Sequence, residues 1–220
     1  MNRHSLYRAL TWGMLAASPL VAITASGPAH ATTFAQLSVE QMTDAASMVV
    51  RGTVLESWSE MDEYGRIWTK SRVRVGTVYK GVDVPAEIVV DQMGGTFSGV
   101  ILDVPGRAWF SPDEDVVLFL NKHESGRLGV VQKYLGKYMV RRAPGDSRPY
   151  VRTWSQPQDE AIAYDGRFLP HPQPEHRIYA DDLIAQIQAR VAAGWDGQPI
   201  QGLPLETLRT INLPENRIPR

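Results

Sequence analysis

The chain has 220 residues with 23 Lys and Arg against 24 Asp and Glu, and it contains no cysteine. The missing cysteine excludes a disulfide framework, a thiolate metal site and a cysteine-linked lipid anchor. A formal charge of −1 argues against a general role in binding nucleic acid or anionic membranes. The length is sufficient for one domain with a real core and an appended segment.

The first thirty-one residues have the three parts of a secretory signal peptide. Arg3 and Arg8 precede an apolar run from Leu10 to Ala25, and Ala29-His30-Ala31 is a small-x-small cleavage site. A Gly-Pro pair closes the run before it reaches the roughly 20 apolar residues of a membrane-spanning helix. We therefore expect cleavage near Ala31, a mature formal charge of 21 − 24 = −3, and a secreted or periplasmic location in a bacterium.

A short helix and a long hairpin are predicted to follow. Ser38, with Gln41 three residues later, has the pattern of a capping box, and the helix should run to about Ala46. The next segment, Met48 to Val54, is rich in β-branched residues, and the run from Ile67 to Thr77 alternates with a period of two. Because polar residues separate these two runs, they are expected to form a hairpin.

The second arm of this hairpin provides the candidate partner-binding surface. Basic and aromatic residues occupy every second position, so they share the side of the strand that is expected to face outward: Trp68, Lys70, Arg72 and Arg74. Aromatic rings beside lysine and arginine stems commonly serve only cross-strand packing. An exposed Trp68 on this side would instead indicate a contact surface.

The remaining strands are short and separated by turn signals. Glu87 to Met93 ends at Gly94-Gly95, where a sharp bend or a close backbone approach is easy, and a strand is possible between Phe97 and Val104. The apolar run Asp115 to Leu120 fits a buried central strand, and further strands are predicted at 128–134 and 137–142. The fold class is therefore mainly β: residues 32–142 form a small antiparallel barrel, OB-like, or a sandwich, with a short N-terminal helix and a C-terminal helix.

The amino-acid composition changes after this predicted domain. Residues 143–179 are rich in proline and read as a loop or linker. Residues 180–194 form a predicted helix that docks on the barrel, with one apolar face, acidic residues at its start and Gly194 at its end. The tail, 195–220, combines prolines with spaced leucines and isoleucines, a pattern that leaves both packed and unpacked arrangements open.

Several short segments occur in a defined order along the predicted barrel: Val49–Val54, Val78–Gly81, Gln92–Gly95, Val104–Gly106, Val117–Leu120 and Gly136–Tyr138. This series resembles a family of uncharacterised secreted bacterial proteins, over roughly residues 34–140 and the closing helix. The resemblance implies a small β-barrel distantly similar to the OB-type barrel of tissue inhibitors of metalloproteinases, and it implies no established activity. The chain lacks the amino-terminal cysteine with which such inhibitors chelate zinc, and it has Asp113-Glu114 where the family would have Gly-Glu.

Candidate catalytic and metal sites are weakly marked. His123, His171 and His176, with Glu175, could ligate zinc, but they lack the helical spacing of a zinc-binding motif. The stretch Gly94 to Gly99 lacks the lysine of a phosphate loop and the surroundings of a nucleophilic serine. The acidic cluster Asp113-Glu114-Asp115 fits a solvated turn better than a calcium loop.

The sequence thus predicts an exported, non-catalytic β-barrel without a metal or other cofactor, and without a nucleic-acid partner. It is expected to bind a protein or a cell-envelope component through Trp68, Lys70, Arg72 and Arg74. Two alternatives stay open. One is a hydrolase or metalloprotein whose histidines and carboxylates converge on folding, and the other is an inhibitor of a secreted metalloprotease that inserts a loop or its amino-terminal segment near Thr32 to Phe34.

Overall fold

The computed structural model of the chain describes residues 37–153 and 178–216. The predicted signal peptide, His171, His176 and the last four residues of the tail lie outside this range. The described part holds three α-helices and ten strands: α1 Val39–Ala45, β1 Met48–Met61, β2 Ile67–Lys80, β3 Glu87–Met93, β4 Gly95–Phe97, β5 Val100–Leu102, β6 Asp115–Lys122, β7 Leu128–Val130, β8 Lys137–Arg141, β9 Tyr150–Thr153, β10 Ile178–Tyr179, α2 Ala180–Ala193 and α3 Leu205–Ile211. The prediction of a mainly β fold is confirmed.

Eight strands form one mixed sheet in the order β1-β2-β3-β7-β6-β8-β9-β10, and β1 also pairs with β6. The pairings are antiparallel except that β3 runs parallel to β7, where Val90 lies opposite Leu128. The expectation of a purely antiparallel sheet is wrong at this pairing. The reason is the long connection after β3, which leads into β6 beside β1 and lets β7 return along β3 in the same direction.

The capping box and the hairpin predicted near the amino-terminal end of the described chain are both present. The Ser38 hydroxyl accepts a hydrogen bond from the Gln41 backbone N–H at 3.2 Å, and the Gln41 side chain accepts one from the Ser38 N–H at 3.0 Å. This capping box starts α1, which ends at Ala45. The predicted hairpin is the antiparallel pair of β1 and β2, closed by the turn between Met61 and Ile67.

The sheet separates two apolar cores. One core lies among β1, β2, β3 and β6 and includes Val54, Val73, Val90 and Leu118. The other lies on the opposite side, where the helices cover the sheet, and includes Phe119. Strand β6 contributes to both cores because successive side chains point to opposite faces, and its residues 116–120 are all buried. The prediction of a buried central strand is therefore confirmed.

Helix α2 covers the second core with Leu183 and Ile187, and it ends at Gly194, whose φ of +75° suits glycine. Its Arg190 guanidinium binds both carboxylate oxygens of Asp44 on α1, with the Nη2–Oδ2 distance at 2.5 Å. The tail after α2 packs on the same core through Ile200 and Leu208. No helix in the described ranges is long and apolar enough to cross a bilayer.

Three predicted segments are wrong in detail. The single strand expected between Phe97 and Val104 is instead the small hairpin of β4 and β5. The strand expected at 128–134 ends at Val130, since Gln132 and Lys133 have positive φ and lead into a 3₁₀ turn at Lys133–Gly136. The predicted loop 143–179 contains β9 and β10, because β9 extends the sheet along β8 and buries Val151.

Candidate binding face

The predicted surface residues lie on one side of β2. Ile67, Ser71 and Val73 are buried on the inner side, and the intervening side chains of Trp68, Lys70, Arg72 and Arg74 point the opposite way. Arg72 and Arg74 are exposed, whereas Trp68 and Lys70 are half-buried. The structure thus brings the four predicted residues together on the outside of the hairpin.

Trp68 is held in place by polar and cationic groups. Its indole N–H donates to Asp62 Oδ2 at 2.9 Å, which fixes the ring across the end of the hairpin. The Arg127 guanidinium, from the turn between β6 and β7, lies 4.4 Å from the ring centroid, and that of Arg66 lies at 5.8 Å. These distances are typical of cation–π contacts. Trp68 is therefore a positioned ring under two arginines rather than the fully exposed one that would mark a contact surface by itself.

The turn between β1 and β2 is organised by one carboxylate. Asp62 Oδ1 accepts the backbone N–H groups of Tyr64 and Arg66, and Oδ2 accepts the Arg66 Nε at 2.8 Å. Desolvation acts to raise the pKa of Asp62, but these hydrogen bonds and the Trp68 indole outweigh it and lower the pKa to about 2. Tyr64 stands at the tip of the turn and is 73% exposed. The hairpin thus presents an aromatic side chain on a rigid turn.

Carboxylates on the neighbouring strands lie beside the basic residues of β2. Lys70 pairs with Glu60 at 2.8 Å, and Arg72 pairs with Glu56 at 3.1 Å. We define the outer face as the outward residues of β1, β2 and β3 with their flanking turns: Glu56, Trp58, Glu60, Asp62, Arg66, Trp68, Lys70, Arg72, Arg74, Glu87, Val89, Asp91, Met93 and Arg127. It carries five basic and five acidic residues, so the basic side predicted from β2 alone is electrically balanced once its neighbours are present.

One carboxylate of the outer face lacks a hydrogen bond. The Asp91 side chain is 9% exposed, and its Oδ1 has no hydrogen-bond partner among the described residues. The nearest cation, Lys70 Nζ, is 3.7 Å away. Burial raises the pKa of Asp91, and Lys70 and Arg127 oppose that effect. Sequence reasoning missed this residue because its burial depends on how β2 and β3 are aligned.

The other sequence candidates have structural roles or lie outside the described residues. Glu114 is buried and binds Lys137 Nζ at 2.5 Å, so the prediction of a solvated acidic turn is wrong for this residue, whereas Asp113 is exposed and Asp115 pairs with Arg51 at 2.7 Å while half-buried. Asp113 has a φ of +66°, in the left-handed region that favours glycine. Within residues 37–153 and 178–216, no three metal-ligating side chains cluster, although His171 and His176 are beyond that range.

The glycine-rich bend makes the predicted close approach. Gly94 and Gly95 have φ values of +104° and +141°. A Cβ on Gly95 would lie 2.4 Å from Thr69 Oγ1 and 2.6 Å from Ser59 Oγ. The bend therefore packs directly on the inner side of the hairpin, opposite the outer face.

No protein-family model matches the chain, and no match is found among curated proteins.

Proposed function

We propose that this chain is an exported, non-catalytic binding protein that holds a protein or cell-envelope partner on the outer face. The observation that carries the proposal is the immobilised aromatic centre of that face. Trp68 is fixed by Asp62 and flanked by Arg66 and Arg127. Trp58 lies across from Lys70 on the neighbouring strand, with the Arg72 guanidinium 5.7 Å from its ring centroid. Rigid tryptophan and arginine side chains are the residues that contribute most to binding energy at interfaces.

We further propose that β1, β2, β3, β7 and β6 close into an OB-like barrel. The cyclic succession of pairings supports closure, since β6 returns to pair with β1 from Met48 to Thr53. The enclosed apolar core and the parallel β3–β7 pairing are further support. This architecture agrees with the resemblance to secreted β-barrel proteins related to metalloproteinase inhibitors.

The position of the outer face supports a binding role within such a barrel. OB barrels hold ligands on the face of their second and third strands, between the loops that follow the first and fourth strands. Here β2 and β3 carry most of the outer face. The first flanking loop contains Asp62 and Arg66, and the second contributes Arg127. In the proposed barrel, the candidate surface would therefore correspond to the position where OB barrels bind.

The charge balance of the outer face narrows the chemistry of the partner. Five basic residues facing five acidic ones leave no net positive potential for a phosphate backbone, which requires unpaired lysine and arginine. A mixed surface with tryptophan, tyrosine, arginine and methionine is instead typical of protein interfaces. Two exposed residues lie next to this aromatic centre: Met93, opposite Trp68 on β3, and Tyr64, at the tip of the hairpin turn. A polypeptide partner fits this surface better than a nucleic acid.

The test is affinity capture from the host's envelope and secreted fractions, followed by quantitative binding of the purified partner. Trp68→Ala combined with Arg72→Glu should weaken that binding at least about tenfold, because it removes the aromatic centre and reverses an adjacent charge. Arg209→Glu, at an exposed arginine on α3, is the control that should bind normally. Equal binding by the double variant, with its circular dichroism spectrum unchanged, would contradict the proposal.

Barrel closure has its own test. If the barrel is closed, the β1 amides that face β6 between Met48 and Thr53 are protected in the same way as those that face β2. Both sets should then exchange hydrogen only through global unfolding. Rapid local exchange of the β6-facing amides would show that the sheet is open at this seam.

A further inference from the structure

A small cleft lies on the inner side of the hairpin, opposite the outer face. Its volume is about 200 Å³. Its walls are polar and aromatic, and the residues used below are Ser57, Ser59, Thr69, Thr96, Arg107 and Trp109. Trp58 of the outer face also lines the cleft, but Arg107 and Trp109, which carry the inference, are not part of that face.

Arg107 is the buried charge of this cleft. The side chain is 8% exposed, and its Nη1 donates to Thr69 Oγ1 at 2.5 Å and to the Gly94 carbonyl at 3.2 Å. Its Nε is buried without any hydrogen-bond partner among the described residues. Burial lowers the pKa of the guanidinium, and Asp103 offsets this only in part. The buried Nε–H of this cation is therefore unsatisfied, which is a costly arrangement.

Lys137 and Arg190 have carboxylate partners, whereas the buried Lys80 Nζ donates to the Thr43 carbonyl and to the Asn212 side-chain oxygen. Lys137 binds Glu114, and Arg190 binds both oxygens of Asp44. Among the described residues, no carboxylate lies within 4.0 Å of the Arg107 guanidinium. Arg107 differs from Lys80, which also has neutral acceptors, in that its buried Nε has no acceptor among the described residues.

Trp109 provides an aromatic surface beside this cation. The Arg107 guanidinium lies 4.1 Å from the Trp109 ring centroid, and the ring is 42% exposed. Four hydroxyl groups line the same cleft, from Ser57, Ser59, Thr69 and Thr96. The Thr69 hydroxyl donates to the Gly94 carbonyl at 2.6 Å, and the Ser57 and Ser59 hydroxyls pair with those of Ser71 and Thr69. The cleft thus combines a cation, a polar wall and an apolar platform.

We propose that this cleft binds the carboxylate group of a small ligand or of a peptide. A carboxylate suits the free edge of Arg107, because Nε and Nη2 donate two parallel hydrogen bonds to its oxygens. The ligand reaches Nε when the exposed Trp109 ring moves aside, and the ring then packs on the substituent of the carboxylate. The volume is below the 300–1,000 Å³ of drug-sized sites, so the cleft admits one small carboxylate-bearing group.

The test is an NMR titration of the ¹⁵N-labelled protein with N-acetylglycine, using N-acetylglycinamide as the neutral match. We expect the acid to shift the Arg107 Nε–H and Trp109 indole signals saturably at millimolar concentration, and the amide to leave them unchanged. A short peptide acid and its amide form the second pair, which separates a free small acid from a chain terminus as the source. Equal shifts from acid and amide, equal shifts from inorganic phosphate, or no saturable shift from either acid would overturn the proposal.

Variants then assign the effect to the cleft. Arg107→Lys retains the charge but loses the forked donor edge, and we expect at least about tenfold weaker binding of the acid. Arg148→Lys, at an arginine stacked on Tyr179 outside both candidate sites, is the matched control and should bind as the wild type does. Trp109→Leu removes only the exposed platform and should weaken binding several-fold, which provides a second variant if Arg107→Lys folds poorly. Unchanged binding by both cleft variants would overturn the assignment.

Discussion

At position 95 only a hydrogen atom fits between two hydroxyl groups. A Cβ there would meet Thr69 Oγ1 at 2.4 Å and Ser59 Oγ at 2.6 Å, and the backbone φ of +141° also favours glycine. We therefore expect Gly95→Ala to lower the free energy of unfolding by about 1–3 kcal/mol, the usual cost of an overpacked site. Urea denaturation followed by tryptophan fluorescence measures this loss.

Gly99→Ala is the matched control for this substitution. Gly99 lies in the neighbouring β4–β5 turn with a φ of +80°, but nothing lies within 4 Å of the position of its Cβ. Its substitution carries the cost of the positive φ without a collision. Equal losses for the two variants would show that the bend does not press on the hairpin.

Asp62 makes the hairpin turn sensitive to acid. Its folded pKa of about 2 lies below the usual value of 3.8, although desolvation acts in the opposite direction. The stabilisation from its charged form is therefore complete above the unfolded pKa and is lost as the pH falls from about 4 towards 2. The difference in Tm between wild type and Asp62→Asn should be greatest near neutral pH and should shrink over that interval.

Circular dichroism melts at several pH values check this expectation. Glu63→Gln, also in the turn, controls for the removal of one negative charge. A Tm difference between wild type and Asp62→Asn that stays constant down to pH 2 would mean that Asp62 is not the acid-sensitive group of the turn.

At the scale of elements, a buried ion pair fastens the segment before β6 to strand β8. Lys137 of β8 is 1% exposed, and its Nζ binds Glu114 and the Trp109 carbonyl. Removing one partner leaves a buried charge unpaired, which typically costs 3–5 kcal/mol of stability. We expect Glu114→Gln and Lys137→Met each to destabilise the fold by about 3 kcal/mol, and the double variant to cost at least about 1 kcal/mol less than their sum.

This double-mutant cycle is measured by urea denaturation of the four proteins. The exposed pair Arg209 and Glu206 on α3 gives the matched surface cycle, in which the coupling should be near zero. Additive losses at Glu114 and Lys137 would contradict a direct role for the pair.

The elements that the sequence predicted well are those with a complete local signal. Three patterns predict their local structure without tertiary contacts: the capping box at Ser38 and Gln41, the alternation along β2 and the apolar run in β6. Strand β9 lacked such a signal, since it buries Val151 alone and depends on the edge of β8 for its pairing. Strand β7 was predicted too long because positive φ at Gln132 has no clear sequence marker.

The candidate site shows the same limit. The side of β2 that carries Trp68 and Arg72 could be predicted, because strand periodicity determines it. The carboxylates opposite it could not, since Glu60 and Asp91 reach Lys70 only through the register of three strands. Arg107 is a further case, because its burial against Thr69 depends on a segment without regular structure crossing the sheet. Both candidate sites are formed by contacts between segments that are distant in the sequence, which local patterns do not predict.

At the scale of the whole molecule, the described residues divide into a sheet with one core on each face. The first core contains strand residues and the half-buried Phe110, and the second is covered by α1, α2 and α3. Arg190 and Asp44 join α2 to α1, and Asn212 donates from the end of α3 to the Asp44 carbonyl. The helices therefore cover the second core, whereas Arg72 and Arg74 of the outer face are exposed.

Export is the last prediction, and it depends on the first thirty-one residues. The signal pattern predicts that the protein recovered from the periplasm or medium of its host begins at Thr32, which intact-mass measurement can establish. Ala31→Arg should block processing and leave the precursor in the membrane fraction, because the cleavage site requires a small residue there. His30→Arg is the matched control and should be processed normally, since the middle position is unconstrained. A wild-type chain that keeps its leader and stays in the cytoplasm would contradict export, and with it any partner outside the cell.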